Sequence, residues 1–194
     1  MDRGRRKPVF VFAALIFLGC SKREAESVGI PPQDVADAIH AVIEADRTAY
    51  AQKVVTRMQN EHNIVKATEH WEDEKTLPLP AQMLRMGAEI TQKNGARFSY
   101  ALLSPWPVNK KNSAATDAER KGLEAVSKNA KQNFYAEEVL GERKFFTAVY
   151  PDVAVAEACV TCHNQHKDSP RKDFKLGDVM GGVVVRIPLD GKMM

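Results

Sequence analysis

The stretch Cys159-Val160-Thr161-Cys162-His163 constrains this chain more than any other. Two thiols three residues apart on one helical turn can both reach the vinyl groups of a haem and form thioethers. The histidine that follows then falls beneath the iron as its proximal ligand. Cys-x-x-Cys-His is the attachment signature of c-type haem, so the fold is expected to close around one covalently bound haem c. Three other uses stay open beside it. A thiol-disulfide oxidoreductase opens a helix with Cys-x-x-Cys after a strand, whereas these residues read as the close of a short helix over residues 153–162. A zinc site could recruit Cys159, Cys162 and His166, yet the chain offers no second ligand pair well apart in sequence. A structural disulfide in so tight a ring would staple little.

The first nineteen residues read as an address. Arg3, Arg5, Arg6 and Lys7 lead into an apolar run of eleven residues, 8–18. That is too short for a bilayer, which needs about 20 residues, and suits the apolar region of an export signal, about 7–15 residues long. Phe17-Leu18-Gly19-Cys20 looks like a bacterial lipobox, with Phe17 where Leu is usual. Cys20 is thus the expected lipidation site. Ser21 rather than Asp follows it, which resembles the type sorted to the outer membrane. The expected location is periplasm-facing, anchored to that membrane through the lipid. Export also agrees with covalent haem attachment, which bacteria carry out beyond the cytoplasmic membrane.

Charge points away from nucleic acid. The formal net charge of +3 resides in the leader, and beyond Gly19 acidic and basic residues balance. No basic patch remains to track a phosphate backbone. With 44% hydrophobic and 27% charged residues in 194, the rest is an ordinary globular domain with enough chain to bury a core.

Beyond a polar tether at 20–32, Val35, Ala38, Ile39, Val42, Ala45, Ala49, Val54, Val55 and Met58 recur three and four apart. This spacing predicts a long N-terminal helix at 33–64; His40 and His62, which lie on it, read as solvated or core-edge residues. Residues 65–76 read as loop or short helix, and Pro80 opens a helix over 81–92. Strands are expected at 97–104 and 179–187, and a hairpin at 134–140 and 144–149 around Gly141-Glu142. A helix from Thr116 or Asp117 to Asn129 has Glu119 as a capping partner. One α+β domain follows over 65–190, an antiparallel sheet with flanking helices and the long helix laid against it.

The stretch 77–189 resembles a bacterial family of exported mono-haem c domains with a PAS-like fold, found alone and as sensory inputs of histidine kinases. The resemblance runs through Ala81-Gln82-Met83-Leu84-Arg85, the strand at 98–103 with Ser104-Pro105-Trp106-Pro107-Val108-Asn109, and the acidic helix at 117–126. It continues through Val149-Tyr150-Pro151, the Cys159–His163 motif and the turn Lys175-Leu176-Gly177-Asp178-Val179-Met180-Gly181-Gly182. After Asn109 the chain departs from the family's Asn-Pro-Ala-Asn with Lys110-Lys111-Asn112. The resemblance implies a PAS-like fold and makes Met83 the first choice for the distal iron ligand. Met86, the histidines (His62 and His70 among them), and water or a gas are the alternatives. Cysteine is excluded there, because Cys159 and Cys162 would be thioethers and Cys20 lipid-blocked.

Haem propionates call for cationic donors, and Arg97 and Arg186, with Arg143, lie on or beside strands as candidates. The function expected is a redox or ligand sensor-type haem domain. The alternative is a mono-haem periplasmic electron carrier, and a thiol-disulfide or zinc-binding protein is more remote. No acid–base group accompanies the motif in sequence, so an enzyme is not expected. No kinase or methyl-accepting segment follows, so a signal is expected to pass to another protein, a redox or signalling partner.

Overall fold

Alternating β-branched and aromatic residues late in the chain build the centre of the molecule, and helices supplied from both sides cover it. The computed structural model describes residues 29–190 together with Met1. The expected leader, Cys20 and most of the tether lie outside the described residues.

The first helix, α1 (Pro32–Ala49), has a proline at its start, where the missing N–H costs nothing. It runs on without a break as a π-helix over Tyr50–Glu61, closed by His62 N–H donating to the Arg57 carbonyl at 3.0 Å. Such winding is rare and collects at functional sites. Two short strands, β1 (Ala67–Thr68) and β2 (Leu77–Pro78), pair in parallel around a helical turn, α2 (Trp71–Glu74). Helix α3 (Pro80–Lys93) again starts on proline, and the Gln82 side chain accepts the Leu79 N–H at 2.9 Å. The remaining elements are β3 (Ser99–Leu103), a 3-10 turn at Lys110–Asn112, α4 (Asp117–Lys128), β4 (Phe134–Leu140), β5 (Arg143–Val153), α5 (Glu157–Gln165) and β6 (Val179–Pro188). The expected capping box is present on α4, where Thr116 and Glu119 satisfy each other's backbone N–H groups. Among the described residues no helix is long and apolar enough to cross a membrane.

The main sheet has the order β3-β6-β5-β4, antiparallel throughout. Strand alternation gives it two apolar faces. Ala148, Tyr150, Val183 and Val185 pack with Ala36 of α1 and Leu84 of α3 on one side. Val149, Val184 and Leu103 pack with Leu123 and Val126 of α4 on the other. Glycine sets the distance on this second side: a Cβ on Gly122 would run into a Val149 methyl. The fold is thus the expected α+β arrangement of an antiparallel sheet with flanking helices.

The N-terminal helix ends at Glu61 rather than 64, and Ala67–Thr68 is a short strand within the stretch expected as loop or short helix; two further differences bear on the motif. Strand β5 continues four residues past Val149, because Tyr150 to Val153 find ladder partners in β6, with a bulge at Asp152/Val153. Pairing along β6 carries the strand on through Val153, the first residue of the expected helix. The motif helix therefore starts later and runs further, Glu157–Gln165, with the two cysteines inside it.

Arg186 is spoken for on the α4 face. Its guanidinium lies 2.7 Å from Glu119 Oε1 and 3.1 Å from Glu138 Oε1, and all three side chains are largely buried. Burial alone would raise Glu138, but hydrogen bonds from Thr147 and Thr116 and the Arg186 charge hold it below the usual carboxylate range.

Candidate cofactor site

Helix α5 and the N-terminal helix form two walls of one cavity of about 1030 Å³, which α3 and β3 complete. Arg47, Ala51, Val55 and Gln59, four residues apart, line it from the N-terminal helix, and Cys159, Cys162 and His163 line it from the motif. Small and aliphatic side chains at Ala51, Val55, Ala81, Leu84 and Ala88 leave room for a large, mainly apolar group.

Two polar atoms at these walls are unusual. His163 Nδ1 and Arg47 Nε are the buried side-chain nitrogens or oxygens without a hydrogen-bond partner among the described residues. Each such orphan costs about 1–3 kcal/mol, and native interiors hold few. Both belong to residues that line the same cavity. Burial, His166 and the nearby Arg47 charge hold His163 below its ordinary pKa, so the ring stays neutral, the form that ligates a metal. Arg47 is fixed by a two-pronged pair with Asp152, Nη1 to Oδ1 at 2.7 Å and Nη2 to Oδ2 at 3.1 Å.

The Cys162 thiol is not an activated one. Burial, the Glu69 carboxylate and Cys159 push it above its ordinary value, the opposite of a lowered-pKa thiolate. Nor does His166 join the cysteines. Its Nε2 lies 3.1 Å from Glu69 Oε1, and its Nδ1 accepts the Asp168 N–H at 3.1 Å, so both nitrogens are engaged. Among the described residues no three His, Cys, Asp or Glu side chains converge as a metal-ion site. The donor set fits a cofactor held by two thioethers and one imidazole.

A family model described as Tll0287-like matches residues 28–188. The chain belongs to the Tll0287-like family. The crystal structure of the cyanobacterial heme-protein Tll0287 aligns with a TM-score of 0.53 at 16% identity, covering 84% of this chain and 99% of that one. No curated protein matches the sequence.

In this Tll0287-like chain the structure brings together Cys159, Cys162 and His163 and leaves Met83, Met86, Arg97 and Arg186 elsewhere. Met83 sits half-buried on α3 and does not line the cavity; that helix turns Ala81, Leu84, Arg85 and Ala88 towards it. Met86 is likewise off the cavity wall. The helical period decides this, since one residue's shift rotates a side chain by about 100°. The methionine that lines the cavity is Met180, packed with Val160 and Phe174. Arg97 is exposed in the turn before β3, and Arg186 faces α4. The cations that line the cavity are instead Arg47, Arg85, Lys110 and Lys111. Lys110 and Lys111 sit in the 3-10 turn just after Asn109.

Proposed function

We propose that this protein is an exported, lipid-anchored c-type haem protein that works as a redox or ligand sensor domain rather than as an enzyme. One observation carries the reading: two cysteines and a neutral, partly orphaned histidine line a single large apolar cavity. The family and the haem protein that shares the fold support the same cofactor. Cys159 and Cys162 would form the thioethers, and His163 would be the proximal ligand. Arg85, Lys110 and Lys111, which line the cavity, would be the cations that hold the propionates. When bound, the haem would supply a redox-active iron.

Sensing is preferred to electron carriage because the methionines expected as distal ligand stand off the cavity wall. Met83 and Met86 do not line the cavity, and both His166 nitrogens are engaged; Met180 lines it but is packed against Val160 and Phe174. A stable carrier wants two protein ligands; a sensor wants an exchangeable one. Lipid at Cys20 would hold the domain at the membrane, where a redox or signalling protein would take up the change.

The test is purification from an exporting host followed by haem staining on a denaturing gel. Wild type is expected to keep its stain, each single Cys→Ala change to weaken it, and C159A/C162A to lose it. Stoichiometric zinc in an unstained wild type would sink the proposal. Carbon monoxide added to the reduced protein is expected to shift the spectrum promptly; an inert spectrum would favour the carrier.

A further inference from the structure

A histidine that binds a metal is normally aimed by its second nitrogen, which donates to a carbonyl or carboxylate and so fixes the ring and raises its basicity. His163 lacks that bond, because its Nδ1 is buried with no partner. With Nδ1 covered by protein, Nε2 is the nitrogen left for a ligand. Something else has to set the plane of this ring.

The ring meets Phe174 edge to face, with centroids 5.8 Å apart and planes at 90°. Phe174 is only 3% exposed and is fixed from several directions. Asn164, the residue after His163, grips its backbone twice: Nδ2 donates to the Phe174 carbonyl at 2.9 Å, and Oδ1 accepts the Phe174 N–H at 3.0 Å. The Arg171 guanidinium lies 4.3 Å above the Phe174 ring and 4.8 Å above that of Trp106. Trp106 closes the cluster edge-on, 5.8 Å from Phe174. Arg171 is itself held by Asp173 at 2.8 Å and Asp178 at 3.2 Å. A loop ten residues downstream is thus tied to the residue beside the ligand and presents a rigid ring to it.

We propose that Phe174, held by Asn164 and Arg171, is the positioning residue that sets the ring plane of His163, in place of the usual hydrogen bond. The proposal rests on the haem reading above. It assigns these residues no contact with the cofactor; they act through the ligand. An imidazole without an acceptor on its second nitrogen is also a weaker donor to the metal than a hydrogen-bonded one.

The experiment uses the full holoprotein, with haem content read by staining and ligand orientation by ferric electron paramagnetic resonance. Phe174→Leu is expected to keep covalent haem, since the thioethers do not need the ring, while its g values shift and broaden. Phe174→Tyr, which retains the aromatic edge, should restore the wild-type g values. Asn164→Ala, which releases the clamp and leaves the ring in place, should shift them in the same direction by less. It serves as the test if Phe174→Leu does not fold. Wild-type g values in a haem-loaded Phe174→Leu or, failing that, Asn164→Ala protein would overturn the proposal and reduce Phe174 to core packing. A wild type that carries no haem would instead remove the reading beneath it.

Discussion

His40 shows how one residue's surroundings set a pH response. Its ring stacks on Tyr150 with centroids 3.9 Å apart and planes at 7°, while Asp37 accepts both the Tyr150 and Tyr135 hydroxyls at 2.7 and 2.8 Å. Burial lowers its pKa from 6.5, against the opposing pull of Glu44 and Asp37. A lowered histidine binds fewer protons folded than unfolded. Its contribution is intact above pH 6.5 and declines as pH falls below that value. Thermal stability is therefore expected to drop from neutral to mildly acidic pH, and His40→Phe should flatten part of that drop. Met83 supplies a second residue-scale prediction. With its side chain off the cavity wall, Met83→Ala should leave the haem spectrum unchanged, and a lost or shifted sulfur-to-iron band would restore it as a ligand.

At the scale of elements, local chemistry and tertiary pairing divide the work. The capping box of α4 was legible in sequence because Thr116 and Glu119 act on their own helix. Thr116→Ala should cost about 1 kcal/mol, read by denaturant unfolding. The same helix lies on the sheet only because Gly122 has no side chain. Gly122→Val would drive methyls into Val149 and Phe134 and should cost about 1–3 kcal/mol by overpacking. The end of β5 was not legible in the same way. Residues 150–153 look local in sequence but are claimed by β6, far along the chain, and no window around them reports that partner.

For the whole molecule, the sheet separates two polar systems. The cavity side carries Arg47 and Asp152 beside the motif; the α4 side carries Arg186 between Glu119 and Glu138. Arg186 was legible as a cation on or beside a strand but not as to which face it served, because the face depends on register. Arg186→Met would strand two buried carboxylates and should cost about 3–5 kcal/mol with haem content unchanged. A fall in haem content without loss of stability would point to a propionate role after all.

By itself the sequence determined the chemistry that is contiguous: the Cys159–His163 motif, proline starts, the capping box, and the alternation that makes an antiparallel α+β sheet. These depend on neighbours within a few residues, so spacing reports them. Only the tertiary structure decided which side chains share the cavity. Met180 rather than Met83, Lys110 rather than Arg97, and Phe174 against His163 all follow from helix rotation, strand register and loop return. Such relations are set by packing between elements far apart in the chain, where no local pattern carries the information.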